Sequence, residues 1–242
     1  MAIEFRGKFE VFGLNFGAYR LGLCAMKLMN DTAMLYGILD TGYVEVENMA
    51  HTATQLLAGG VGLLQLRAKG MDAGQVLDLI QNHLPDLNAQ CQEYGVPFII
   101  NDFPDVALTV GAAGVHIGQD DGTLAAVREV VGDEMLVGRS THSVEQAEEA
   151  LREGFDYIGF GPLFPTPTKV GRPGIGLENI ATVQERVGGG IPVFCIGGIK
   201  PENLDLVLAS GARCVVIVSA LLQSEDIQQA TQSVMRALHT DH

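Results

Sequence analysis

Phe155-Asp-Tyr-Ile-Gly-Phe160 runs straight into Gly161-Pro-Leu-Phe-Pro-Thr-Pro-Thr-Lys169. The first stretch is apolar almost without interruption, which is how a strand covered on both faces reads. The second holds three prolines, two threonines and one lysine. Proline lowers the entropy of a loop that must hold one shape. A buried strand that empties into a stiff, hydroxyl-bearing loop with a single cation reads as a parallel strand followed by a phosphate-holding loop.

The same alternation extends in both directions. Strand-like runs fall at 33–39, 62–66, 97–100, 114–117, 135–137, 156–160, 192–196 and 214–218. Helical periodicity fills the spaces between them. In 46–58 the apolar residues Val46, Met49, Ala50, Ala53, Leu56 and Leu57 recur at helical spacing. The stretch 76–94 does likewise, with Pro85 expected to kink or break it. Ser143 with Gln146 three residues on is a capping-box signature, and Pro201 suits the first turn of a helix. Eight β–α units imply parallel strands with helical crossovers. A closed TIM (β/α)8 barrel over residues 32–242 is the first expectation, and a doubly wound open sheet is the alternative. Residues 1–31 read as an N-terminal extension with no clear signal for secretion.

Composition limits the function classes. The chain has 242 residues, 47% of them hydrophobic and 18% charged, with a net charge of -14. That acidity argues against a nucleic-acid partner held through phosphates. No stretch reaches the roughly 18 apolar residues of a spanning helix, so no membrane is expected. Cys24, Cys91, Cys195 and Cys214 make no metal-binding spacing. They read as reduced thiols, and a cytoplasmic location is expected.

In a barrel the chemistry sits where strands end, so the residues that follow each run matter. They include Asp40; Gln65, Arg67 and Lys69; Asn101 and Asp102; Gln119, Asp120 and Asp121; and Arg139, Ser140, Thr141 and His142. Thr166, Thr168 and Lys169 follow the sixth run, Gly197 and Gly198 the seventh, and Ser219 the eighth. Asp102 and Asp121 can share a hard cation such as Mg²⁺, although each could instead serve a turn or a helix start. Gly197-Gly198 and Val218-Ser219 offer backbone N–H groups to a phosphate, or mark turns that need glycine. His116 reads as structural, and His142 reads either as a rim residue or as part of a helix cap.

Together these residues resemble the thiamine-phosphate synthase (thiamine-phosphate pyrophosphorylase) family. The matching stretches are Gln65-Leu-Arg-Ala-Lys69, Ile99-Ile-Asn-Asp102, Gly114-Val-His-Ile-Gly-Gln-Asp-Asp121, Gly138-Arg-Ser-Thr-His142, the run from Asp156 to Lys169, and Cys195-Ile-Gly-Gly-Ile199. The resemblance implies a cytoplasmic transferase of thiamine biosynthesis. It would join 4-amino-5-hydroxymethyl-2-methylpyrimidine diphosphate to a thiazole phosphate, plain or carboxylated, and release pyrophosphate.

By the same resemblance Gln65, Leu66, Arg67, Ala68, Lys69, Asn101, Ser140 and Lys169 bind the pyrimidine diphosphate. Arg67, Lys69, Ser140 and Lys169 act in catalysis. Thr166, Pro167, Thr168, Gly198, Val218 and Ser219 bind the thiazole phosphate, and Asp102 and Asp121 hold Mg²⁺. A homodimer is expected from family habit. The pattern departs from the family at Ala68, where glutamate is frequent, at Phe103-Pro104 after Asn-Asp, and at Gly37-Ile-Leu-Asp40 in the first strand. Two rivals remain, a thiazole tautomerase on a similar barrel and a non-catalytic barrel that senses a phosphorylated ligand.

Overall fold

Eight parallel strands pair in chain order, and the last returns to the first through Leu35↔Val215, Tyr36↔Val216 and Gly37↔Ile217. The computed structural model describes residues 35–166 and 173–239. The expected extension at 1–31, and Pro167, Thr168 and Lys169, therefore lie outside the described residues. The strands are β1 (Leu35–Asp40), β2 (Leu63–Arg67), β3 (Phe98–Asn101), β4 (Gly114–Ile117), β5 (Leu136–Thr141), β6 (Tyr157–Phe160), β7 (Val193–Ile196) and β8 (Cys214–Ile217). The closed barrel is thus the correct expectation, and the open sheet is excluded.

Side chains alternate across a strand, so one set fills the barrel and the other meets the helices. Tyr36, Leu63, Ile99, Leu136, Tyr157, Phe194 and Val216 pack inside. Leu35, Leu64, Ile100, Val115, Val137, Ile158 and Val215 join the outer core. Three inner aromatics, Tyr36, Tyr157 and Phe194, meet edge to face with centroids 5.3–5.8 Å apart. Gly138 makes this possible, because a Cβ there would lie 2.1 Å from the Tyr157 ring.

The helices are α1 (Val46–Gly59), α2 (Ala73–His83), α3 (Leu87–Tyr94), α4 (Pro104–Thr109), α5 (Leu124–Val131), α6 (Val144–Glu153), α7 (Ile180–Arg186), α8 (Pro201–Ala209), α9 (Ser219–Leu222) and α10 (Ile227–Leu238). Pro85 falls in the break between α2 and α3. Ser143 caps α6 by accepting from Gln146 N at 3.3 Å. The Gln146 side chain, however, accepts from His142 N at 2.8 Å, so the reciprocal half of the box lands one residue earlier.

Sequence reading stops several strands too early. Asp40, Arg67, Asn101, Arg139, Ser140 and Thr141 are strand residues rather than loop residues. A parallel ladder continues for as long as backbone groups find partners, and polarity of the side chain does not end it. Ser140 and Thr141 pair with Gly159 and Phe160 in this way.

Candidate active site

The C-terminal rim collects the polar strand ends. In the β1–β2 register Asp40 lies opposite Arg67, and the Arg67 guanidinium donates to Asp40 Oδ2 at 2.5 Å. Asp40 is only 1% exposed. Its other oxygen accepts from Gly42 N at 2.8 Å. Two strands on, Lys69 Nζ lies 3.3 Å from Asp102 Oδ2.

Asp102 follows β3 with φ of 67°, the one positive φ outside glycine among the described residues. Its N–H still bonds His116 O at 2.9 Å, so the turn begins directly off the ladder. Burial raises the Asp102 carboxyl above its ordinary value, Lys69 pulls it down, and the facing Asp121 raises it again. The two carboxylates are therefore neighbours. Neither caps a helix, since α4 begins after Phe103 and α5 is capped by Thr123. Asp121 instead accepts from Gly118 N at 2.7 Å. Arg139 steadies this loop from outside by donating to Gly122 O at 2.7 Å and Gln119 O at 3.2 Å.

Beneath the rim lies a cavity lined by Arg67, Asp40, Gln65, Asn101, Ser140 and His116. Ser140 Oγ and His116 Nε2 are 3.0 Å apart. Gln65 is buried, and its amide donates to Tyr36 Oη at 2.7 Å. Tyr36 and Tyr157 share a hydroxyl contact at 3.0 Å. His142 also lines the cavity, with its ring Nδ1 against Gly161 O. Gly159 forms part of the wall and leaves space where a side chain would stand.

A second cavity adjoins the first and shares Ile196, Val216 and Val218 with it. Thr166, Gly197, Gly198 and Ser219 line its outer part. Both glycines have positive φ, 99° at Gly197 and 67° at Gly198. A Cβ on Gly197 would lie 2.4 Å from Pro162, and one on Gly198 2.7 Å from Phe164. The loop after β6 thus packs directly on this turn, held by Leu163 N to Ile196 O at 2.8 Å. Asn203 Nδ2 bonds Gly198 O at 3.0 Å from the start of α8.

The expected residues are sorted by this geometry. Gln65, Arg67, Asn101 and Ser140 meet at the first cavity, while Thr166, Gly198, Val218 and Ser219 meet at the second. Lys69, Asp102 and Asp121 form the cluster beside them. Leu66 and Ala68 point into the outer core, so their side chains do not reach the cavity. Any part these two take in binding would therefore run through their backbone groups. Tyr36 and Asp40, which line the inner cavity, were missing from the expected binding set. Tyr36 sits in an apolar strand run that gives no sign of the cavity, while Asp40 stood out as a strand-end residue and only the β1–β2 register exposes its partner.

Fold and rim together define a (β/α)8 barrel of the kind that keeps its chemistry at the C-terminal ends of its strands. A family model described as thiamine monophosphate synthase matches residues 35–221. The chain belongs to that family. A thiamine-phosphate synthase from Thermus thermophilus is 45% identical over 183 residues, covering 76% of this chain and 85% of that one. One from Shouchella clausii is 37% identical over 206 residues, covering 84% and 95%. Among solved structures, a thiamine phosphate pyrophosphorylase from Pyrococcus furiosus superposes with a TM-score of 0.74 at 31% identity, covering 88% and 97%. A Mycobacterium tuberculosis tryptophan synthase chain, at 17% identity and TM-score 0.63, shares the fold alone.

Proposed function

We infer that this protein is a thiamine-phosphate synthase of thiamine biosynthesis. It couples 4-amino-5-hydroxymethyl-2-methylpyrimidine diphosphate with a thiazole phosphate, plain or carboxylated, and releases pyrophosphate. The observation that carries the reading is the pair of adjoining cavities beside a carboxylate pair and two cations. The inner cavity suits a flat polar ring, because Gln65, Asn101 and Ser140 present hydrogen-bonding groups within it. The outer one suits the thiazole phosphate, with Thr166, Gly198 and Ser219 at its mouth.

Asp102 and Asp121 fit a hard divalent ion. They offer carboxylate oxygens side by side, and among the described residues no third acidic, His or Cys ligand joins them. Two protein ligands suit Mg²⁺, which keeps waters and phosphate oxygens. Mg²⁺ bound there would offset the charge on the leaving pyrophosphate.

The chain's own residues do the rest. Arg67 and Lys69, together with Lys169 further along the sequence from β6, hold the diphosphate oxygens as the C–O bond breaks and its electron pair leaves with pyrophosphate. The thiazole nitrogen lone pair then forms the new C–N bond to the exposed methylene. Preorganised donors of this kind contribute about 3–4 kcal/mol each. Holding two reactants together contributes up to about 7–11 kcal/mol. No nucleophilic side chain is needed.

Mixing both substrates with and without Mg²⁺ tests the reading. Pyrophosphate release that needs both substrates and the ion is the expected result. Isomerisation of the thiazole alone would make the protein a tautomerase, and binding without turnover would make it a sensor.

A further inference from the structure

Arg67 is held by more than its own strand. Asp40, Thr41 and Gly42, three consecutive residues at the end of β1, all act on it or on its partner. Thr41 N donates to Arg67 O at 3.0 Å, Arg67 Nη1 donates to Asp40 Oδ2 at 2.5 Å, and Gly42 N donates to Asp40 Oδ1 at 2.8 Å. The Asp40 backbone carbonyl also receives Tyr43 N at 3.0 Å and Val44 N at 3.1 Å. Both carboxylate oxygens are thus engaged within the protein. Asp40 lines the inner cavity, and each of its carboxylate oxygens already accepts one hydrogen bond from the protein.

Arg128 shows what a purely structural arginine looks like in this fold. Its guanidinium donates to Gly132 O, Met135 O and Asp156 Oδ2, reaching protein acceptors from both terminal nitrogens. Among the described residues the Arg67 guanidinium donates to Asp40 alone. Arg67 is one of the residues that line the inner cavity. A planar guanidinium anchored at Nη1 has its rotation restricted and its other N–H groups directed, which favours two-point recognition of a phosphate.

We propose that Asp40 is a positioning residue that braces Arg67, aiming its uncommitted N–H groups at the diphosphate of the pyrimidine substrate. This rests on the synthase reading and adds a residue to it. The brace has a cost in charge, because a buried carboxylate next to Arg67 offsets the attraction of that arginine for an anion. Orientation and net charge therefore make opposite forecasts for Asp40→Asn, which keeps the shape and removes the charge. If charge governs, the variant binds pyrophosphate more tightly; if orientation governs, it binds more weakly.

The test is calorimetric titration of inorganic pyrophosphate in Mg²⁺ into wild type, Asp40→Asn, Arg67→Ala and the double variant. The expected result is a loss of about 10–100-fold for Asp40→Asn, in line with other residues that orient a ligating group. No further loss is expected when Asp40→Asn is added to Arg67→Ala. In steady state, KM for the pyrimidine diphosphate should rise while KM for the thiazole phosphate holds. Equal or tighter pyrophosphate binding by Asp40→Asn overturns the brace, as do losses that simply add. Should Asp40→Asn fail to fold, Arg67→Lys takes its place. Lysine keeps the charge but lacks the fork, and wild-type affinity in that variant would also overturn the proposal. A wild-type protein that binds no pyrophosphate in Mg²⁺ would instead refute the synthase reading itself.

Discussion

Asp102 concentrates two opposing demands in one residue. A positive φ disfavours an L-residue by up to about 1–2 kcal/mol, and strain of this kind gathers at functional sites. Its carboxyl is also held above the ordinary value, by burial first and by Asp121. The folded state therefore retains that proton to higher pH than the unfolded chain. The associated stability is fully present below the unfolded carboxylate pKa of about 3.9 and is lost as pH rises through the folded value. Asp102→Asn removes this loss, and asparagine tolerates the left-handed region. In buffer free of divalent ions at pH 7 the variant should melt above wild type, with the gap closing toward pH 3. Its pyrophosphate release should fall by orders of magnitude, and Mg²⁺ should raise the melting temperature of wild type only. A variant that melts below wild type at pH 7 would mean that Lys69 outweighs the facing carboxylate. Asp102 and Asp121 were legible as candidates because acidic residues after apolar runs stand out. Asp40 was legible as a strand-end residue but its pairing with Arg67 was not, and Tyr36 was not legible at all, because their partners lie across the sheet and a one-residue slip in register would separate them.

At the level of elements, the sequence revealed the strands and helices but not where the strands stop. Continuous apolar runs marked all eight strands, and Pro85 and Pro201 marked a helix break and a helix start. The ends of β2, β3 and β5 were hidden because Arg67, Asn101 and Ser140 are polar yet still paired in the ladder. Nor did helix periodicity show which helices would touch. α1 and α10, far apart in the chain, meet where Gly59 faces the buried Thr231. A Cβ on Gly59 would lie 2.4 Å from Thr231 Cβ, and the Thr231 hydroxyl is tied to Ile227 O at 2.7 Å. Gly59→Ala is therefore expected to destabilise the fold by about 1–3 kcal/mol through overpacking. Urea unfolding checks this, with a lower midpoint and an unchanged slope. The same variant should keep its KM values, because the contact is far from the rim.

On the scale of the molecule, stability and chemistry occupy opposite ends of the barrel. Below the strands, Arg128 on α5 reaches Asp156, whose Oδ2 also accepts from Val137 N at 2.7 Å. That clamp joins α5, β5 and β6 on the side away from the carboxylate pair. Cys91 and Cys195 are buried thiols, and burial pushes each up to about 12, so neither is poised to react. No helix among the described residues is long and apolar enough to cross a membrane. The cytoplasmic location and the homodimer remain proposals beside the synthase reading.

The wall of Ile196, Val216 and Val218 common to the two cavities has a consequence for inhibition. Two fragments seated on either side of it are near enough to be tethered by a short linker. A bivalent compound of that design would enjoy a high effective concentration at its second foothold, exceeding either fragment's affinity by about 10²–10⁴-fold. Competition titrations of the tethered compound against its separate halves would measure the gain, and additive behaviour would mean that the wall keeps the two footholds apart.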